Sequence, residues 1–210
     1  MVEEPLLAGD APAGLGKMMA GGIGKVKRQP NDFYPTPHDV TRALLRVEHQ
    51  CIRNTAGNLV WEPCGRGGAI MRVLAEHDFQ TIGTDIVADP RQKVHALDVL
   101  QAKRARARAV VTNPPFALAE KIIRHLLDVL GVDYLALLLK ASYWHADERT
   151  PLFRRHPPSR IHALTWRPDF LGKGAPVMEC AWFVWQRGWA SGTHYHLLPK
   201  EDDTRQKELL

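Results

Sequence analysis

The apolar positions of this chain fall into two alternating periods. Val40, Ala43, Leu44 and Val47 recur at helical spacing. Thr36-Pro37-His38-Asp39 before them has the form of a capping box, with Thr36 as N-cap and Pro37 at the first helical position. After a Gly-Asn turn, Leu59-Val60-Trp61 predicts a short strand that ends in Glu62 and runs into a glycine cluster, Gly65 to Gly68. A helix follows from about Ala69 to His77, then a strand over Thr81–Ile86 and another around Val94–Leu97 with Asp98 at its end. A fourth strand, Ala109–Thr112, stops abruptly at Asn113-Pro114-Pro115. The helix expected over Ala117–Leu130 places Leu118, Ile122 and Leu126 on one face. Tyr134–Leu139 is continuously apolar, as a strand covered on both faces should be. Two later strands are expected at Ile161–Trp166 and Glu179–Trp185.

Strands alternating with helices imply an α/β fold, a mostly parallel, doubly wound sheet with helices on both faces. Ligands of such sheets bind beyond the carboxyl ends of the strands. The unusual residues stand at those ends: Glu62-Pro63, Asp85, Asp98 and Asn113. A single domain is expected over residues 31–198, with a small basic insertion at about 141–176. A glycine-rich tail over 1–30 precedes it, and a polar tail over 199–210 follows. Gly16-Lys17 and Gly24-Lys25 in the first tail do not make a phosphate loop, because the earlier glycine and the following Ser or Thr are missing.

Composition narrows the class. The chain has 210 residues, 45% hydrophobic and 24% charged, as in a soluble globular protein. No apolar run reaches the length of a membrane helix, and the N-terminus lacks the regions of a signal peptide. The three cysteines, Cys51, Cys64 and Cys180, are too few and too scattered for a disulfide scaffold or a zinc ribbon, so a reducing cytoplasm is expected, with no metal and no membrane partner. Lys and Arg total 28 against 23 Asp and Glu, a net charge of +5 that permits a polyanionic partner. The surplus is local. Lys103, Arg104, Arg106 and Arg108 form one stretch; Arg149, Arg154, Arg155, Arg160, Arg167 and Lys173 form a second. Either can be a solvated surface or can track phosphates, and phosphate tracking is preferred for the second. Within it, Trp166 or Phe170 is a candidate to pack against an extruded base, whereas Trp182 and Trp185 read as core.

The strand, glycine turn and helix around Gly65 make a nucleotide site, with Glu62 at the strand end. Asp85, about twenty residues on at the end of the next strand, is placed to hold the hydroxyls of a ribose. Asp98 is placed to accept from the exocyclic amine of an adenine. Three carboxylates and no cation for a pyrophosphate favour a nucleoside that is itself cationic. S-adenosylmethionine, with its sulfonium and ammonium, fits better than a dinucleotide.

Asn113-Pro114-Pro115-Phe116 resembles the catalytic motif of S-adenosylmethionine-dependent amino-methyltransferases, above all the bacterial adenine-N6 DNA group, and Ala181-Trp182-Phe183-Val184-Trp185 resembles a late strand of its compact phage- and prophage-type members. In that motif the Asn113 side-chain oxygen and the Pro114 carbonyl would accept both amine hydrogens and aim the nitrogen lone pair at the methyl group. Pro115 stiffens the turn, and Phe116 would stack on a target base flipped out of the duplex. The resemblance implies a Rossmann-like class I methyltransferase over roughly residues 33–187, with DNA as partner and S-adenosylmethionine as cofactor. It implies cofactor contacts from Tyr34 and Thr36 within Phe33-Tyr34-Pro35-Thr36-Pro37, from Glu62, Pro63, Cys64, Gly65 and Gly68, from Asp85 with the adjoining Ile86, and from Asp98. Cys64 reads as a small buried neighbour of the cofactor rather than a nucleophile. His194-Tyr195-His196 reads as a strand end rather than a metal site.

One departure stands out. The family has Gly-Asp-Gly where this chain has Arg66-Gly67-Gly68, which puts a positive side chain beside a cationic cofactor and removes an acid. Two rival readings therefore stay open: an enzyme of the same fold acting on guanine N2 of ribosomal RNA or on a protein glutamine, and a non-catalytic nucleic-acid or protein-binding module.

Overall fold

The computed structural model describes residues 34–174 and 176–200. The glycine-rich tail, Phe33 and residues 201–210 of the polar tail lie outside the described residues. Among the described residues, no helix is long and apolar enough to cross a membrane.

Eight strands form one sheet in the order β3-β2-β1-β4-β5-β7-β6-β8. In chain order these are β1 (Leu59–Glu62), β2 (Gln80–Asp85), β3 (Val94–Ala96), β4 (Ala109–Thr112), β5 (Tyr134–Lys140), β6 (Arg160–Leu164), β7 (Cys180–Gln186) and β8 (His194–Leu198). Neighbours pair in parallel except at β7, which runs antiparallel to both β5 and β6. All seven expected strands are present. The eighth, β8, forms from the segment read as a strand end around His194–His196, and it pairs with β6 along its whole length.

Period-two alternation on β5 shows how the core divides. Tyr134, Ala136 and Leu138 face one layer; Leu135, Leu137 and Leu139 face the other, and all six are fully buried. The first layer is covered by α1 (His38–Ala56), through Val40, Ala43, Leu44 and Ile52, and by α2 (Ala69–Glu76), through Ile70, Val73 and Leu74. The second is covered by α3 (Ala119–Arg124), which continues as a π turn over His125–Val129, and by α4 (Thr150–Arg155), through Leu152. Trp182 and Trp185 belong to the two core layers, as expected.

Three local readings need correction. Thr36 does not cap α1: Pro37 occupies the N-cap position and no side chain bonds there, because the Thr36 hydroxyl is engaged elsewhere. Val47 lies on the solvent side of α1 and is half-exposed, since the packed stripe runs through Leu44, Leu45 and Glu48. Leu118 is also partly exposed, because helical structure starts only at Ala119 and Leu118 serves as its N-cap residue.

The sheet reverses its winding between β1 and β4, each of which starts an outward series of strands. A crevice beyond their carboxyl ends is the ligand site of such sheets. Glu62 closes β1 on one side of that point, and Asn113 follows β4 on the other.

Candidate active site

The glycine turn after β1 is built against the ends of β1 and β2. The Gly65 amide donates to the Thr84 carbonyl at 2.8 Å, and a Cβ on Gly65 would come within 3.1 Å of the Glu62 carbonyl oxygen. Gly68 caps α2 in the left-handed conformation, with φ of 61°. A side chain there would also run into Gln92.

Two aspartates hold the turn from the other side. Asp85 accepts from the Arg66 amide at 3.3 Å and from the Val87 amide at 3.0 Å. Asp89 accepts from the Gly67 amide at 3.2 Å. Arg66 thus enters the loop through its backbone, and the turn is complete although the sequence departs from Gly-Asp-Gly. Asp89 was not foreseen. Its signal was an acid four residues beyond Asp85, in the loop after a strand end.

Glu62 is 4% exposed and accepts from the Met71 amide, in the first turn of α2, at 3.2 Å. Burial pushes its carboxyl well above the usual carboxylate range; the Met71 bond opposes the shift, and the Asp85 charge adds to it. Cys64 lies in the field of Asp85, Glu62 and Asp98, with the Thr112 hydroxyl beside its thiol. Burial, with those three acids, pushes the thiol up to about 12, against the opposing Thr112 contact. Such a thiol is not a nucleophile at neutral pH. Asp98 caps the turn after β3 by accepting from the Leu100 amide at 2.9 Å. Ile86, next to Asp85, is exposed at the same carboxyl edge. The three predicted carboxylates therefore converge on one region. Its set of acceptors suits a cation, because an acid held neutral by burial regains its charge most readily beside a positive group.

Across the switch point, the Asn113 side-chain amide donates to the Thr36 hydroxyl at 3.1 Å. Thr36 is buried, and Tyr34 lies two residues before it on the same approach to α1. Pro114 is buried, while Asn113, Pro115 and Phe116 are half-buried. The Lys140 ammonium, at the end of β5, stands 5.7 Å from the centre of the Phe116 ring. Lys140 was also missed, although it is the first charged residue after the apolar run of β5.

The basic stretches do not form one face at this site. Lys103, Arg104 and Arg106 are exposed on the connection leading down to β4. Arg108 lies immediately before β4, at the edge opposite the carboxyl ends, and is ion-paired with Asp133. Arg160 is a clear correction. It is 8% exposed and locked to Glu48 beneath α1, so it meets no phosphate. Arg149 donates to the Tyr143 carbonyl, Arg155 pairs with Asp128, and Arg167 pairs with Glu179. Arg154 and Lys173 are exposed. Trp166 and Phe170 pack partly against the first core layer rather than standing open to a base.

No protein-family model matches the chain, and no curated protein matches it either. Solved structures share its architecture. A Pyrococcus horikoshii protein assigned as an RNA methyltransferase superposes with a TM-score of 0.58 at 15% identity, over 80% of this chain and 94% of that one. A Listeria monocytogenes protein assigned as a class I S-adenosylmethionine-dependent methyltransferase gives 0.56 at 12% identity, over 87% of this chain and 71% of that one. A modification subunit assigned to a type I restriction enzyme of Vibrio vulnificus gives 0.54 at 14% identity, over 87% of this chain, which spans about half its length. The chain has the Rossmann-like fold of the class I methyltransferases.

Proposed function

We propose that this chain transfers a methyl group from S-adenosylmethionine to an exocyclic amine, and that the amine is N6 of adenine in DNA. The observation that carries the reading is the pairing of two devices across the β1/β4 switch point. On one side, Glu62, Asp85 and Asp98 gather around Cys64 as a set of acceptors whose chemistry favours a cationic nucleoside. On the other, Asn113 is oriented by Thr36.

Each part has a physical role. The cofactor's sulfonium makes the methyl carbon electrophilic. Asp85 and Asp98 have acceptor capacity beyond the backbone bonds they already make, enough for ribose hydroxyls and an adenine amine. Glu62 sits where an ammonium would restore its charge. Asn113 and the Pro114 carbonyl accept the two hydrogens of the substrate amine, which turns its lone pair out of conjugation and toward the methyl carbon. Phe116 provides a ring face for the target base.

The DNA acceptor is favoured by the likeness of the sequence Phe33-Tyr34-Pro35-Thr36-Pro37 and of Asn113–Phe116 to the adenine-N6 group, and by the Vibrio modification subunit among the structural neighbours. The Pyrococcus neighbour, assigned as an RNA methyltransferase, favours RNA as a second acceptor. A non-catalytic role rests on Arg66-Gly67-Gly68; against it stands the turn itself, whose Arg66 and Gly67 amides donate to Asp85 and Asp89. Calorimetric titration with S-adenosylmethionine tests the enzyme reading. Saturable binding, weakened by Asp85→Ala, supports it; no binding refutes it.

A further inference from the structure

We infer that Trp144 and His145, on the turn after β5, form a stacking platform for a base of the nucleic-acid strand that carries the target. The inference rests on the nucleic-acid reading above and names a surface that reading does not use. β5 outruns its neighbour: Thr112 of β4 pairs with Leu137, so Leu138, Leu139 and Lys140 carry the strand past the start of the catalytic turn. The chain then folds back in tight turns, with the Tyr143 amide donating to the Lys140 carbonyl and the His145 amide to the Ser142 carbonyl.

This segment is anchored from beneath. Tyr143 is 4% exposed and packs edge-on against Phe153 and Phe183. The Arg149 guanidinium lies 4.2 Å from the Tyr143 ring centre and donates to the Tyr143 carbonyl at 2.6 Å. Trp144 meets Phe183 edge-on yet remains 42% exposed. Its ring lies parallel to that of His145, with centroids 5.7 Å apart and planes 8° apart. The result is a stacked aromatic pair, held at Trp144 by Phe183 and left open to solvent.

Two features select the occupant. Lys140, whose ammonium reaches over Phe116, ties the platform to the turn that would receive the target base. Asp147 and Glu148, both exposed just beyond it, repel phosphates, so the platform suits the face of a base rather than the sugar–phosphate chain. Stacking of this kind is tolerant of sequence.

Fluorescence anisotropy with labelled single-stranded and duplex DNA at low salt tests the platform, beside calorimetry with S-adenosylmethionine and thermal midpoints for each variant. Trp144→Ala should weaken DNA binding by about tenfold. Trp144→Phe should restore most of the loss, with cofactor affinity unchanged in both. His145→Ala, which leaves the Trp144–Phe183 contact in place, should weaken DNA binding several-fold and provides the same test if Trp144→Ala lowers the midpoint. Wild type that binds DNA, with His145→Ala and folded Trp144→Ala binding equally well, overturns the platform and leaves the methyltransferase reading standing. A loss that Trp144→Phe does not restore marks a packing role and overturns it too. Wild type that binds cofactor but no DNA overturns it in favour of another acceptor. The expected DNA pattern without cofactor binding upholds the platform and sinks the enzyme reading instead.

Discussion

The side-chain nitrogen of Asn113 donates to the buried hydroxyl of Thr36 at 3.1 Å, across 77 residues of chain. An amide whose nitrogen is engaged presents its oxygen in a set direction, so the acceptor is aimed before any substrate arrives. Thr36→Val keeps the shape and removes the hydroxyl. It should lower kcat about 10- to 100-fold through misorientation, with α1 intact, since Thr36 caps nothing. Steady-state transfer of a labelled methyl group measures this, and an unchanged kcat would remove Thr36 from the catalytic arrangement.

Asn113→Ala removes the acceptor itself. Transfer should fall by about 10²- to 10³-fold or more, while S-adenosylmethionine affinity stays near wild type, because the interaction matters mainly in the transition state. Parallel calorimetry and methyl-transfer assays separate the two effects. A proportional loss of cofactor binding would assign Asn113 to the other half of the site.

How far the site was legible in the sequence follows from the kind of interaction that builds it. Strands showed as apolar runs, and their carboxyl ends were marked by residues that do not belong in a core, so Glu62, Asp85, Asp98 and Asn113 were read correctly as strand-end residues. Side-chain partnerships left no such mark. Thr36 satisfied the local grammar of a helix cap, yet its hydroxyl is spent on a residue far along the chain. Arg160 carried the composition of a phosphate contact, and only the register of β6 beneath α1 shows that it faces Glu48. Lys140 and Asp89 show in the sequence only as charges past an apolar run and past a strand end; their contacts depend on how far a strand or loop extends past its neighbours.

Glu62 links the site to stability. Burial holds its carboxyl above the usual range, so the folded chain keeps it protonated where the unfolded chain ionises it. Its contribution is fully present below the ordinary carboxylate value of 4.5 and is lost as pH rises through the elevated value. Glu62→Gln stays neutral and escapes that loss. The variant should be at least as stable as wild type near neutral pH in thermal melts, yet bind S-adenosylmethionine at least about tenfold more weakly, the equivalent of ~1.4 kcal/mol. Lower stability at neutral pH together with intact binding would contradict both assignments.

Glu48 has the opposite sign. Burial alone would raise its carboxyl, but His162 and Arg160 outweigh that and hold it below the ordinary value. Arg160 bonds it at 2.5 and 3.0 Å, His162 at 2.7 Å, and the Tyr134 hydroxyl at 3.1 Å. The resulting stability is present above pH 4.5 and is lost as pH falls through the depressed value. Glu48→Ala leaves the Arg160 guanidinium buried beside an unfilled space, and should cost about 3–5 kcal/mol in denaturant unfolding at neutral pH, with a smaller difference in acid. A loss that is independent of pH would contradict the ion-pair account.

The central claim is methyl transfer to adenine N6 in DNA. Its most direct test is expression in a host whose DNA carries no methylation, followed by base-resolved sequencing of that DNA, with Asn113→Ala as the control. The account predicts N6-methyladenine in the wild-type host and none in the variant. DNA without methyladenine, from cells in which the folded protein binds S-adenosylmethionine, would contradict the DNA acceptor and direct the search to RNA or protein.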